Sequence, residues 1–161
     1  MRRVLVIIFL TFLFFFMEAL LFYSLGSFFK PNLLLLLVMF FNFYFGIRCG
    51  LLSASLAGIL KDSISTHPFG INLFAFVLCA YTAVYLKKYF FHLSLSSFRL
   101  LLICFMLLIY NIVYFLFGLM FFPLKINEMF SSIFISELVS TLIITPFILD
   151  QLKKCVSKLF V

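Results

Sequence analysis

Charged side chains are scarce in this chain, and tryptophan is absent. Its 161 residues include 12 Lys and Arg against 5 Asp and Glu, which gives a net charge of +7 at pH 7. Charged residues make up 11% of the chain, compared with about 25% in soluble domains. A domain of this size leaves roughly 30% of its unfolded surface exposed after folding, and so few polar residues cannot cover that area. The shortage excludes a soluble enzyme and a disordered chain, and it predicts a surface that faces lipid.

Apolar residues dominate instead, at 66% of the chain with 27 Phe. Because a helix needs roughly 20 apolar residues to cross a bilayer, the length accommodates about six crossings and little else. Gly, Pro and charged residues divide the apolar sequence into runs. The predicted spans are 4–25, 33–45, 51–65, 71–86, 100–122 and 129–149, followed by a cytoplasmic amphipathic tail at 150–161. The sequence therefore predicts one all-α, polytopic transmembrane domain over residues 1–161.

The second predicted span is short. Its 13 residues, 33–45, extend for about 20 Å as a helix, whereas the hydrocarbon core is about 30 Å thick. Segments 33–45 and 51–65 could therefore be two tilted spans or one re-entrant hairpin. A hairpin would place Arg48 deep in the membrane, which is costly without a partner. Two spans are the favoured prediction.

The basic residues predict the orientation. With a cytoplasmic N-terminus, nine Lys and Arg fall on the cytoplasmic side of the predicted spans and three fall outside. The outer three are Lys30, Lys61 and Lys125. Since cytoplasmic loops carry an excess of Lys and Arg, both termini are predicted to be cytoplasmic.

Glu18, Asn111 and Glu137 are polar residues within predicted spans. An ionisable group in the membrane costs a few kcal/mol, so each glutamate could belong to a proton or cation relay, to a polar pocket, or to a hydrogen bond that holds helices together. The sequence offers no evident charged partner on a neighbouring span, which favours the structural role. Asn42 and Asn111 are interpreted as interhelical hydrogen bonds.

Small residues recur on the third predicted span. Gly50, Ala54 and Gly58 follow one another at intervals of four, a spacing that lets a second helix approach closely. Asp62 continues the series, and we expect it to face packed protein. The adjacent Lys61 is predicted to extend toward the lipid headgroups, because long basic side chains near helix ends do so.

A tight turn is predicted directly after this span. Pro68 and Gly70 favour such a turn, and Asn72 is placed to cap it or to bond across it. A stabilised turn and a docking surface for a partner fit this pattern equally well.

Catalytic and metal-binding motifs are missing from the sequence. It contains no H-E-x-x-H, no G-x-S-x-G and no C-x-x-C, which are patterns of metalloproteases, hydrolases and redox or zinc sites. Neither His67 nor His92 has a second ligand nearby. The sequence thus predicts no enzyme, no cofactor and no metal site. It implies no nucleic acid either, because the predicted topology accounts for the basic residues.

An ordered set of motifs over residues 30–86 resembles the family of the rod shape-determining protein MreD. The set comprises a Pro-Asn pair before a leucine run, a Gly-x-Arg-x-Gly turn, a Gly-x-Leu-x-Asp step and a Pro-x-Gly turn. Two positions depart from the family pattern: Asn32, where Asp is common, and Lys61, in an approach to Asp62 that is ordinarily apolar. The candidates for helix packing or partner binding are Pro31, Asn32, Arg48, Gly50, Ala54, Gly58, Asp62, Pro68, Gly70 and Asn72.

The resemblance implies a non-enzymatic inner-membrane component of the bacterial cell-wall elongation machinery. It implies direct binding to MreC, and weaker or indirect links to the MreB filament and to the peptidoglycan polymerase and transpeptidase. It also implies a six-helix fold similar to the substrate-binding subunits of vitamin transporters. The alternative function is accordingly a membrane subunit that binds a small molecule, with Glu18, Asn111 and Glu137 around its pocket.

Overall fold

The structure, a computed structural model, describes residues 2–26, 29–65, 68–90, 96–121 and 126–160. The described chain forms six α-helices, so the all-α prediction is confirmed. Three helices contain segments long and apolar enough to cross a membrane, at 4–24, 100–117 and 134–152. The crossing of a bilayer by all six helices stays a prediction. In chain order the helices are α1 (Arg2–Leu25), α2 (Leu33–Phe45), α3 (Ile47–Ile64), α4 (Ile71–Phe90), α5 (Ser96–Phe121) and α6 (Ile126–Phe160).

Helix α2 occupies the same residues as the second predicted span, whereas α3 begins four residues earlier than predicted and α6 shows the largest difference. Helix α3 begins at Ile47 because Gly46 alone makes the connection, with φ at +85°, a conformation that glycine adopts readily. Arg48 and Gly50 therefore lie in the helix and not in a turn. Helix α6 continues through Pro146 to Phe160, because no further Pro or Gly interrupts it. Side chains from Cys155 onward lie outside the described part of the chain, so the amphipathic character of the tail stays a prediction.

Helix α2 lies at the centre of the bundle and contacts all five other helices. Each side chain from Leu33 to Phe41 exposes at most 2% of its surface. The expectation that the apolar excess faces lipid is therefore wrong for α2, whose leucines and phenylalanines pack against protein. A short helix suits this central position. The polar groups at its ends are bonded to neighbouring helices and do not have to extend to the membrane surface.

The outer surface carries the lipid-compatible residues. On α1, large apolar side chains three or four residues apart are exposed along one face, as expected for a helix at the edge of a bundle. They are Leu5, Phe9, Phe12, Phe16 and Leu20. The predicted lipid-facing surface thus lies on the helices that surround α2.

Lys87 marks one end of the bundle, here called the Lys87 end. Its Nζ donates a hydrogen bond of 2.8 Å to the carbonyl oxygen of Phe43, in the last turn of α2. Cations stabilise helix C-termini, whose carbonyls are otherwise unpaired. The opposite end, where α2 begins, is called the Lys30 end.

Candidate functional site

The N-terminus of α2 is capped by two side chains from different parts of the chain. Oδ1 of Asn32 accepts a hydrogen bond of 3.2 Å from the Leu35 N–H, as an N-cap residue does. Oε2 of Glu18, on α1, accepts a hydrogen bond of 3.1 Å from the Leu34 N–H. Because a carboxylate is favourable at a helix N-terminus, Glu18 stabilises the buried start of α2.

Glu18 also forms an ion pair with Lys61 of α3. The Lys61 Nζ lies 3.0 Å from Glu18 Oε1, and the two side chains are 19% and 16% exposed, respectively. The Lys61 ammonium lies over the rings of Phe76 and Tyr110, at 5.4 and 5.2 Å from their centroids. These contacts correct two predictions: Lys61 points into the bundle and not toward headgroups, and Glu18 has a charged partner.

Glu137 of α6 joins the same region through Asn32. The Asn32 side-chain amide donates a hydrogen bond of 2.7 Å to Glu137 Oε1. The Asn32 backbone N–H donates one of 3.0 Å to the Thr141 hydroxyl, one turn further along α6. All three residues are buried. Asn32 therefore ties the start of α2 to α6 while its own Oδ1 caps α2.

Asp62 organises the turn between α3 and α4. Its carboxylate accepts hydrogen bonds from the backbone N–H groups of Gly70, Asn72 and Leu73 at 3.0–3.1 Å, and from the Asn72 side-chain amide at 3.0 Å. Asp62 is 4% exposed, as expected of a residue facing packed protein. Asn72 bonds across the turn as predicted, and its Oδ1 accepts a 2.7 Å hydrogen bond from the Tyr110 hydroxyl of α5.

Five helices and the segment that leads into α2 therefore contribute to one polar cluster at the Lys30 end. Its members are Glu18, Lys30, Asn32, Lys61, Asp62, Asn72, Tyr110, Glu137 and Thr141. Lys30 lies within electrostatic range of Glu18, Lys61 and Glu137, and its Nζ lies 5.1 Å from the centroid of the Phe22 ring. The cluster supplies hydrogen-bond acceptors for the backbone N–H groups at the buried helix ends. Its own polar side chains bond largely to one another.

The small residues of α3 pack against two different helices. A Cβ atom on Gly58 would overlap the backbone Cα of Leu73 in α4. A Cβ atom on Gly50 would lie 2.9 Å from the side chain of Asn42 in α2. Ala54, between the two glycines, is fully buried. The expectation of a single facing helix is therefore too simple, because the stripe passes from α2 to α4 along its length.

The remaining predicted residues separate into different environments. Asn42 makes the expected interhelical bond, since its amide donates to the Ala80 carbonyl of α4 at 2.6 Å. Asn111 is buried but donates to the Leu107 carbonyl of its own helix at 2.9 Å, so its predicted interhelical bond is not among those of the described residues.

Arg48 is exposed near the Lys87 end, away from the cluster. Pro31 is buried beside Asn32, and Pro68 is half-buried in the α3–α4 turn.

Four members of the cluster are missing from the predicted site: Lys30, Lys61, Tyr110 and Thr141. A usable signal existed for Lys61, because an intramembrane acid and an intramembrane base pair preferentially. For Tyr110 the sequence offered no comparable signal, because it lies in a run rich in aromatic residues. Within the described part of the chain, no three His, Cys, Asp or Glu side chains gather as metal ligands would.

The fold and the cluster together define a helical, membrane-associated protein with an apolar exterior and, at one end, a buried polar cluster whose members bond to one another. The family model for the rod shape-determining protein MreD matches residues 1–155. The chain belongs to the MreD family, which places it in rod shape determination and extends the resemblance beyond residues 30–86. No curated protein and no solved structure matches the chain.

Proposed function

We propose that this protein is a non-enzymatic scaffold of the cell-wall elongation machinery in the inner membrane. It binds MreC directly and, through MreC, links peptidoglycan synthesis to the MreB filament. The observation that carries the proposal is the family match over residues 1–155. The cluster is consistent with a structural role. The carboxylate oxygens of Glu18 and Asp62 accept hydrogen bonds from the N–H groups at helix ends, and Glu18 also forms an ion pair inside the protein.

The proposal includes a multi-pass topology with both termini in the cytoplasm. Three tyrosines near the Lys87 end, Tyr44, Tyr81 and Tyr85, are exposed, and Arg48 is exposed near them. Tyrosine is enriched where a bilayer meets water, and Lys and Arg mark the cytoplasmic side. This combination supports the Lys87 end as the cytoplasmic end, with the polar cluster toward the outer leaflet.

A small-molecule transporter subunit is supported less well. Its pocket would use Glu18, Asn111 and Glu137. Glu18 is paired with Lys61, Glu137 accepts from Asn32, and Asn111 donates to its own helix. A ligand would have to compete with these internal partners, each of which would lose a bond that costs about 1–3 kcal/mol to leave unmade.

The decisive experiment combines depletion with affinity capture. Depletion of the protein should turn rod-shaped cells round, and capture of a tagged copy from mild detergent should recover MreC. A tagged, unrelated polytopic protein of similar size serves as the control for capture. Normal rod shape with a newly acquired vitamin requirement would instead establish the transporter function.

A further inference from the structure

The helices around α2 leave an opening on one side. Among the described residues, neighbours contact in the order α1, α3, α4, α5 and α6, and α6 does not return to contact α1. Six cylinders of equal diameter fit around a seventh, and helices with their side chains are cylinders about 10 Å wide. Five helices surround α2 here, and α1 and α6 do not contact each other among the described residues, so a sixth neighbour of α2 would fit between α1 and α6.

Residues 29–32 are non-helical chain, and Asn32 and Leu34 bond to the two helices that flank this opening. Asn32 bonds to Glu137, which lies eleven residues inside the start of α6, or about 16 Å along that helix. Leu34 bonds to Glu18, seven residues before the end of α1, or about 10 Å. Both helices that flank the opening therefore extend beyond the start of α2. Non-helical backbone at membrane depth needs protein around it, yet Phe29 and Lys30 are only half-buried.

Lys30 gives the opening a definite charge preference. Glu18, one of the two nearby glutamates, is already paired with Lys61. Within the described part of the chain, no carboxylate lies within 4 Å of the Lys30 ammonium, and its contact is the ring of Phe22. A half-buried ammonium in a membrane that has no ion-pair partner among the described residues favours an acidic partner.

We infer that the opening between α1 and α6 receives one membrane-spanning helix of a partner protein, which carries an Asp or Glu opposite Lys30. Five helices leave one of six positions around α2 unfilled. The half-buried Phe29 and Lys30 need protein cover, and the Lys30 ammonium, which has no carboxylate within 4 Å in the described part of the chain, specifies the charge. This inference rests on the scaffold function proposed above and deepens it, because it assigns the docking surface for the bitopic partner.

Photo-crosslinking with co-expressed MreC tests the site. A photoreactive phenylalanine analogue replaces either Phe22, beside Lys30, or Phe74 on α4, which lies opposite the opening; both residues are 50% exposed. Position 22 should crosslink to MreC and position 74 should not. Crosslinking to MreC from position 74 alone, or from position 22 to a second copy of this chain, would overturn the docking site while leaving the scaffold function intact. Failure of the unmodified protein to capture MreC would instead remove the scaffold function.

The charge preference has a separate test. Lys30→Gln should lower the recovery of MreC about tenfold or more, the effect of removing one member of a desolvated charge pair, whereas Lys30→Arg should retain it. The thermal unfolding midpoint of both variants in detergent reports whether the fold is intact. Equal recovery of MreC by the Gln and Arg variants would overturn the acidic contact. If Lys30→Gln unfolds, Lys30→Met, which keeps the packing of the side chain, replaces it in the same comparison.

Discussion

Lys61 and Glu18 lie 3.0 Å apart across the interface between α1 and α3, and the same glutamate caps the buried start of α2. One carboxylate therefore joins three helices. Helix α1 is otherwise held by apolar packing, with much of its surface exposed. This geometry makes Glu18 the polar anchor of α1.

Neutralising one member of the pair should destabilise the protein strongly. Lys61→Met leaves the Glu18 carboxylate with the Leu34 N–H but without its cation, and breaking a buried pair costs about 3–5 kcal/mol. We expect the lower end of this range, because both side chains keep some exposure. Thermal unfolding in detergent measures the loss.

The matched control is the double variant Glu18→Gln with Lys61→Met. Replacing both charges removes the stranded ion, and such replacements are often close to neutral. The double variant should therefore unfold at a higher temperature than Lys61→Met alone. If the loss of stability in the double variant equals the sum of the losses in Glu18→Gln and Lys61→Met, the ion pair contributes no coupling between α1 and α3.

Gly58→Ala should cost more stability than Gly50→Ala, although both glycines lie in α3. At position 58 the new methyl group meets the backbone of Leu73, which cannot rotate away, whereas at position 50 it meets the Asn42 side chain. Overpacking costs about 1–3 kcal/mol, against a gain in helix propensity of about 1 kcal/mol. Unfolding of the two variants in the same detergent makes the comparison. A larger loss at position 50 would contradict the close approach of α3 to α4.

Asp62→Ala should destabilise the α3–α4 turn more than Asp62→Asn does. Alanine leaves the N–H groups of Gly70, Asn72 and Leu73 without their acceptor, and each hydrogen bond to a charged group contributes about 1.5–3 kcal/mol. Asparagine keeps one acceptor oxygen. Ser63→Ala, at an exposed neighbouring position, should change stability by less than about 0.5 kcal/mol. Hydrogen exchange of the first turn of α4 measures the local effect, and equal exchange in all three variants would exclude the capping role of Asp62.

The number and order of the helices could be predicted because turn residues interrupt the apolar runs. Gly46 and Gly70 occupy positive φ values at two of the connections. The burial of α2 could not be predicted. A leucine-rich helix has the same composition whether it packs against lipid or against protein, since lipid tails are as apolar as leucine.

The partners within the polar cluster depend on how the helices pack, which composition does not specify. Glu18 and Lys61, like Asn32 and Glu137, are far apart in sequence and meet only in the folded bundle. The two departures from the family pattern, Asn32 and Lys61, each contact one of the two intramembrane glutamates. The fold thus explains together what the sequence presented as separate irregularities.

Asn32→Asp should be destabilising in this protein, although the resemblance described above makes Asp the expected residue at that position. Asn32 donates its amide proton to Glu137 at 2.7 Å, and a second carboxylate would place two acceptors and two negative charges together. Buried like charges disfavour each other, so stability should fall by several kcal/mol at neutral pH and recover in acid, where one carboxyl can donate a proton to the other.

The partner substitution tests whether Glu137 causes that loss. Asn32→Asp combined with Glu137→Gln restores a donor opposite an acceptor and leaves one negative charge, so the double variant should regain most of the stability lost by Asn32→Asp. Glu137→Gln alone provides the control, because its amide can still present an oxygen to Asn32. Unfolding measured across acidic and neutral pH should show a strong pH dependence for Asn32→Asp and a much weaker one for the double variant. The same pH dependence in both would place the repulsion on a group other than Glu137, with Glu18 as the next carboxylate to replace.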